Sequence, residues 1–352
     1  MKFIHIADVH FDKPLTVLEK NGLAEVRRLE QRRAFHELIE YIKKNDVSYL
    51  FIAGDLYEHE YIRRSTIEYI NDCFKEIENT TIYITPGNHD PYLENSYYQQ
   101  FHWNQNVHII KGQETIENKD FTLYGYGFTD FYSESITLPK ILDKNKINIL
   151  LMHADVNGST KSVGEYNPIL ESTLKNSEFD YVALGHIHKQ DRNNVKMVYP
   201  GSMFAGGFDE LGTHGMIEGN ISDETKEVKI YYRELDHQEF IKQEINIENI
   251  VSKEELIETI NVRTRENNKY YEYILIGNRQ IEIDTNELLK YIEDKSVIKI
   301  KDNTMLPYDL KKIAEESSLK GIFVKEMLSK IKEDESNKEA ILKMIGIGLD
   351  AM

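Results

Sequence analysis

Apolar runs and the polar residues that interrupt them divide the chain into alternating strands and helices. Residues 2–7 predict a first strand, with Asp8-Val9-His10 at its end. A helix is expected over about residues 22–44, with Phe35, Leu38, Ile39 and Ile42 on one face. The run from Val47 to Ala53 is almost unbroken in apolar residues, the pattern of a strand buried on both faces, and it stops at Gly54-Asp55. A second helix over about residues 65–78 leads into the β-rich Thr81-Ile82-Tyr83-Ile84, followed by Thr85-Pro86-Gly87-Asn88-His89-Asp90 and closed by Pro91. Later strands run from Phe121 to Tyr126, from Ile147 to Met152 before His153, and from Tyr181 to Leu184 before Gly185-His186-Ile187-His188. Another, from Met197 to Tyr199, ends at Pro200-Gly201-Ser202. This alternation predicts an α/β architecture with functional loops at strand ends.

The character changes after residue 235. Ser252 to Glu255 reads as a capping box opening a helix, followed by a strand at about 271–277, a helix from Asn286 to Ile292 and a strand from Val297 to Ile300. Beyond it Val324, Met327, Leu328 and Ile331 share a helical face, and Ser336 and Glu339 form a second capping box before Ile341, Met344 and Ile345. The expected organisation is a domain over residues 1–235, a small α+β domain over 236–302, and a helical C-terminal segment over 303–352. Those last helices either pack within their own domain or anchor a partner.

Composition narrows the class. At 352 residues, 40% hydrophobic and 29% charged, the chain can bury one large core and a smaller one, and no apolar run approaches the roughly 20 residues a membrane span needs. The N-terminus lacks the apolar core of a signal peptide, and the single cysteine, Cys73, excludes an intrachain disulfide framework. Cys73 lies among Ile67, Ile70, Phe74 and Ile77 as a buried thiol, and a reducing cytoplasmic compartment is expected. The net charge of −17 opposes a phosphate backbone at long range, so action on nucleic acid requires a local positive site, bound metal or a basic partner. Arg27, Arg28, Arg32 and Arg33 cluster on one predicted helix, as a solvated face or, less commonly, a DNA contact.

Chemistry gathers at the strand ends: Asp8 and His10, Asp55, Asn88 and His89, His153, His186 and His188. Each motif alone has an ordinary reading as a polar turn or structural histidine. Together they form an oxygen and nitrogen donor set without sulfur, suited to Mn²⁺, Fe²⁺ or Zn²⁺ more than to Ca²⁺ or Mg²⁺. The i, i+2 spacing of Asp8/His10 and His186/His188 aims both members of a pair to one side if the backbone stays extended. A carboxylate such as Asp55 can bridge two cations, and a metal pair serves phosphodiester hydrolysis by supplying hydroxide and neutralising charge.

These motifs, Asp8-x-His10, Gly54-Asp55, Gly87-Asn88-His89-Asp90, His153 and Gly185-His186-x-His188, resemble the calcineurin-like metallophosphoesterase pattern over about residues 1–235. Within that superfamily, Met1 to His10, Phe179 to Lys189 and Tyr199-Pro200-Gly201-Ser202 are similar to the SbcD-type DNA repair exonucleases. The resemblance implies a four-layer α-β-β-α sandwich with a smaller α+β C-terminal domain and helical tail. It implies two divalent metals, usually manganese: Asp8, His10, Asp55 and His188 would hold one, and Asp55, Asn88, His153 and His186 the other. His89 would be the general acid or transition-state stabiliser, with Asp90 orienting its ring. It further implies DNA as substrate and an SbcC-type, SMC-like ATPase as partner. Many relatives dimerise, but no face here identifies a homodimer contact.

One departure is visible. Some members carry a histidine three residues after the bridging aspartate, where this chain has Glu58 with His59 next to it. Either His59 substitutes through a shifted loop or that phosphate contact is absent. The alternative function is a metallophosphoesterase acting on a small nucleotide, cyclic nucleotide or phosphoprotein; a scaffold subunit with a vestigial site is the third. Of the remaining residues, His5 reads as a hydrogen-bonded strand residue and Trp103 as a packing residue. Gly206, Gly207, Gly212 and Gly215 suggest a loop of unusual backbone angles, a turn or a phosphate cradle.

Overall fold

A computed structural model describes residues 1–19, 22–134, 136–158, 165–264, 268–305, 308–333 and 337–352. The chain divides into two compact units, Met1–Phe240 and Ile241–Met352. In the first, the elements in order are β1 (Lys2–Ile6), α1 (Thr16–Glu19), α2 (Ala24–Lys44), β2 (Tyr49–Ala53), α3 (Arg64–Lys75), β3 (Thr81–Thr85), α4 (Tyr97–Gln100) and β4 (Val107–Ile109). They continue with β5 (Gln113–Glu117), β6 (Phe121–Tyr126), β7 (Ile147–His153), α5 (Glu171–Lys175), β8 (Tyr181–Gly185), β9 (Asp191–Asn194), β10 (Met197–Tyr199), β11 (Gly215–Ile221) and β12 (Val228–Glu234).

Among the described residues these strands form two six-stranded sheets, β12-β11-β1-β2-β3-β4 and β5-β6-β7-β8-β10-β9. In the first, β1 to β4 run parallel, with Phe3 opposite Tyr49 and Tyr49 opposite Thr81, while β11 pairs antiparallel with β1 and β12 antiparallel with β11. In the second, β6, β7, β8 and β10 run parallel between antiparallel edges β5 and β9.

The strand period of two explains why the central strands are apolar throughout. Ile4, Ile6, Leu50 and Ile52 face Phe35, Leu38, Ile39, Ile67 and Phe74 of α2 and α3. Their neighbours Phe3 and Phe51 point the other way and pack on Phe121, Ile149, Leu151 and Tyr181 of the second sheet. The far face of that sheet buries Leu150, Met152, Val182 and Leu184 under Leu174 of α5 and the segments around it. The architecture is the expected α-β-β-α sandwich, with a thin fourth layer. His5 sits at this inter-sheet level, hydrogen-bonded through Nδ1 to Tyr181 Oη (2.9 Å) and through Nε2 to the Leu184 carbonyl (3.2 Å). Trp103 packs, donating Nε1–H to the Tyr97 carbonyl (3.0 Å).

The boundary between the units falls within β13 (Glu239–Asn246), and the second unit continues with α6 (Lys253–Arg263), β14 (Lys269–Ile276), α7 (Thr285–Tyr291) and β15 (Val297–Asp302), then α8 (Leu310–Ala314), α9 (Leu319–Glu333) and α10 (Lys338–Ala351). The sheet order is β13-β14-β15, and its core includes Leu256, Ile260, Tyr271, Tyr273, Leu288 and Ile300. Ser252 caps α6 by accepting the Glu255 N–H (3.1 Å); the Glu255 carboxylate takes the Val251 N–H (3.0 Å) instead of closing the box on Ser252. Val324, Ile341, Ile345 and Leu349 form the core of the last helices. The capping box expected at Ser336 and Glu339 lies outside the described residues.

Candidate metal centre

In a parallel sheet, functional loops lie at the carboxyl ends of the strands. Here both sheets send those ends to one edge: β1 leads into Asp8 and His10, β2 into Asp55 and Glu58, β3 into Asn88 and His89, β7 into His153, and β8 into His186 and His188. The sheets meet closely enough that His153 Nδ1–H donates to the Ala53 carbonyl (2.9 Å), and a Cβ on Gly185 would fall inside the radius of that same oxygen. Glycine at 185 is therefore a condition of the two sheets converging.

The strand-end backbone departs from expectation. It is not extended at Asp8, His10, Asp55 and His186, which have φ of 52°, 52°, 52° and 102°. Non-glycine residues adopt this region uncommonly, and strain of this kind clusters at functional sites. Left-handed turns, not strand alternation, bring the side chains together. The Asp8 N–H donates to the Gly54 carbonyl (3.1 Å), and the His10 N–H donates to the Asp55 carbonyl (2.9 Å), pinning one loop to the other.

All seven expected donors converge. His10 Nε2 lies 3.1 Å from His188 Nε2 and 3.7 Å from Asp55 Oδ2, and His188 Nε2 is 3.9 Å from Asp8 Oδ1. On the other side of Asp55, Oδ2 lies 3.3 Å from His153 Nε2. His153 Nε2 is in turn 3.0 Å from Asn88 Oδ1 and 3.3 Å from His186 Nδ1. Asp8 and Asp55 are 0% and 1% exposed. Among the described residues neither aspartate pairs with a lysine or arginine.

This arrangement fits cations. Two buried carboxylates with only imidazoles as counter-charges are expensive to desolvate. Several imidazole nitrogens crowd this centre, and the buried His186 Nε2 has no hydrogen-bond partner among the described residues. Burial alone would raise the Asp55 carboxyl, but His153, His10 and His89 hold it well below the usual range. Burial opposes charge on His153 too, yet Asp55 and Asp8 lift it to about 9. His186 is pushed down to about 4 by burial and by His153.

The groups around the cluster correct one expectation. Asp90 does not orient His89. Its carboxylate is fully buried and accepts backbone N–H groups from Gly87 (2.6 Å), Asp55 (3.1 Å) and Leu56 (2.6 Å), together with the Tyr98 hydroxyl (2.6 Å). It fastens the β2 and β3 loops to each other. The His89 ring is held by Glu58, whose Oε2 lies 2.8 Å from His89 Nδ1 while Oε1 lies 2.8 Å from His10 Nδ1. His89 has an accessible side chain, 44% exposed, and its Nδ1 partner helps raise it to about 9 against the effect of burial. Burial would raise the Glu58 carboxyl, but hydrogen bonds from His10 and His89 bring it to about 2. A second glutamate, Glu210, holds His188 Nδ1 (3.0 Å) and accepts the Ser202 hydroxyl (2.6 Å).

Glu210 lies far from the strand-end motifs along the chain, and sequence reasoning misses it; its only signal is an acidic residue within the glycine-containing segment after β10. In that segment only Gly212 among the four flagged glycines has a left-handed φ, 97°. His59 does not replace the missing histidine as a ring partner of the cluster: its N–H donates to the His89 carbonyl (2.9 Å) and its ring packs edge-on against Phe131.

The calcineurin-like phosphoesterase family profile matches residues 1–190. The chain is 25% identical over 233 residues to an uncharacterized metallophosphoesterase, YhaO, of Bacillus subtilis (strain 168), covering 61% of this chain and 56% of the relative. It is 26% identical over 249 residues to SbcD, a component of the nuclease SbcCD of Staphylococcus epidermidis, covering 60% of this chain and 63% of the relative. The match thus spans less than two thirds of either relative's length.

Proposed function

The chain belongs to the calcineurin-like phosphoesterase family, and we propose that it hydrolyses phosphodiester bonds of DNA, as an exonuclease in repair. The observation that carries the hydrolytic part is the convergence of seven donors around the buried Asp8 and Asp55. Asp8, His10, Asp55 and His188 would hold one divalent cation, and Asp55, Asn88, His153 and His186 the other, with manganese the metal that suits this donor set. The family uses a dinuclear centre, and such a pair supplies a nucleophile at neutral pH and offsets phosphate charge. His89 is next to the cluster, accessible, and tethered through Nδ1, which leaves Nε2 to protonate the departing oxygen or stabilise charge on it. Asp90 and Gly87 keep the loop that carries it in place.

Similarity to a nuclease component supports DNA as the substrate and an SMC-like ATPase of the SbcC type as the partner. Leu319, Ile322, Met344 and Ile347 are exposed on the last helices and support a docking role there. No helix among the described residues is long and apolar enough to cross a membrane, and the working compartment in this reading is the cytoplasm. The second reading, a small phosphoester as substrate, is favoured by the net charge of −17. The test is hydrolysis of linear duplex and single-stranded DNA and of a small phosphodiester, each with Mn²⁺, beside His89→Gln. DNA cleavage lost in the variant supports the proposal; cleavage of the small ester alone selects the second reading.

A further inference from the structure

Glu58 is 8% exposed and stands on the loop after β2. Its backbone is pinned: its N–H donates to the Phe11 carbonyl (3.0 Å), and its own carbonyl accepts from Tyr61 (3.0 Å) and Ile62 (2.8 Å). From this fixed base each carboxylate oxygen takes a different imidazole, His10 Nδ1 and His89 Nδ1, both at 2.8 Å. The two rings stand edge to face with centroids 4.8 Å apart. Other rings in the cluster have separate anchors, Glu210 for His188 and the Ala53 carbonyl for His153. Of these anchors, Glu58 alone ties a proposed metal ligand to the proposed acid.

We infer that Glu58 is a positioning residue that sets the metal ligand His10 and the acid His89 together, a role that rests on the phosphoesterase reading above. An ionised carboxylate only accepts hydrogen bonds, so both Nδ1 atoms must carry hydrogen. For His10 this leaves the Nε2 lone pair facing the cluster, the form that binds a cation. For His89 it fixes the direction of Nε2. Because one side chain serves both rings, a change in it disturbs metal binding and proton transfer at once.

Glu58→Gln is the discriminating substitution. Its amide oxygen can accept from one ring, but its NH₂ group requires a lone pair on the Nδ1 of the other. That ring then carries its only proton on Nε2, the wrong tautomer for a ligand and, in a neutral ring, a far weaker acid, while the ring that keeps the amide oxygen loses its anionic partner. Glu210→Gln is the control, since Glu210 touches His188 and not His89.

Mn²⁺ titrations of the full-length metal-free chain by calorimetry are expected to show affinity reduced about 10- to 100-fold in Glu58→Gln and in Glu210→Gln, and unchanged in His89→Gln. At saturating Mn²⁺, DNA turnover should recover in Glu210→Gln but not in Glu58→Gln. Adding His89→Gln to Glu58→Gln should then cause little further loss, because both act on one group. Glu58→Asp, which keeps the charge, should lie between wild type and Glu58→Gln in both measurements, and it serves alone if Glu58→Gln does not fold. Wild-type Mn²⁺ affinity in the Glu58 variants, or losses from Glu58 and His89 that multiply, overturns the inference while leaving the phosphoesterase reading intact. Absence of Mn²⁺ binding in the wild type overturns both.

Discussion

His10 and His188 meet Nε2 to Nε2 at 3.1 Å, although 178 residues separate them along the chain. Each ring is turned toward the other by a glutamate at its far nitrogen, Glu58 for His10 and Glu210 for His188. A cation between such rings replaces an awkward nitrogen–nitrogen contact with two favourable ones. Mn²⁺ at about 100 times its dissociation constant should therefore stabilise the fold by about 2.7 kcal/mol. His188→Gln should lose much of that gain, and chelator should reverse it, both read as shifts in melting temperature. Equal Mn²⁺ shifts in wild type and His188→Gln would place the ion elsewhere.

Asp90 is a structural fastener of the loops. Asp90→Asn keeps one acceptor oxygen but turns an NH₂ group toward the donors from Gly87, Asp55, Leu56 and Tyr98. Leaving a buried donor without its acceptor costs about 1–3 kcal/mol, so a stability loss of that order is expected in urea unfolding. His89→Gln, on an accessible side chain, should stay within about 0.5 kcal/mol of wild type. A stable Asp90→Asn variant that lost only turnover would return Asp90 to the role of ring orienter.

Gly185→Ala tests the meeting of the two sheets. The added methyl group would collide with the Ala53 carbonyl, which also holds His153. Overpacking of this kind destabilises by about 1–3 kcal/mol. Mn²⁺ binding should weaken along with stability, because His153 and His186 move with the strand ends. Unchanged stability and affinity would show that the sheets can part without consequence.

His5 supplies a pH dependence removed from the metal cluster. Burial lowers it from 6.5 to about 3, against the opposing effect of the Leu184 carbonyl. The unfolded chain takes up this proton near pH 6.5, whereas the folded chain resists it down to about pH 3. The contribution of His5 is therefore complete above pH 6.5 and is lost as pH falls toward 3, with a slope approaching about 1.4 kcal/mol per pH unit. Unfolding free energies between pH 7 and 4 should fall less steeply for His5→Gln than for wild type. Parallel curves would contradict the burial argument.

The centre of the fold is readable in the sequence because β1, β2, β3, β7 and β8 are buried on both faces and appear as apolar runs that stop at chemistry. Edge and antiparallel strands are less legible. Along β5 exposed and half-buried residues alternate over Gln113–Glu117, and β12 has a single fully buried residue, Val228. Such segments gain their strand character from neighbours that lie far away in sequence. The donor set is legible as residue types at strand ends, but the left-handed backbone that aims Asp8 and His10 is not. Glu58 is visible only as an odd residue, because its partners lie 48 and 31 positions away. Adjacency in sequence suggests that Asp90 touches His89, while the loop turns its carboxylate to the backbone instead.

The most direct test of the metal centre is anomalous scattering from a crystal of this protein soaked in Mn²⁺. The account predicts two peaks, one among Asp8, His10, Asp55 and His188 and the other among Asp55, Asn88, His153 and His186, with Asp55 common to both. Peaks only outside this cluster, or none with Mn²⁺ in excess, would contradict it.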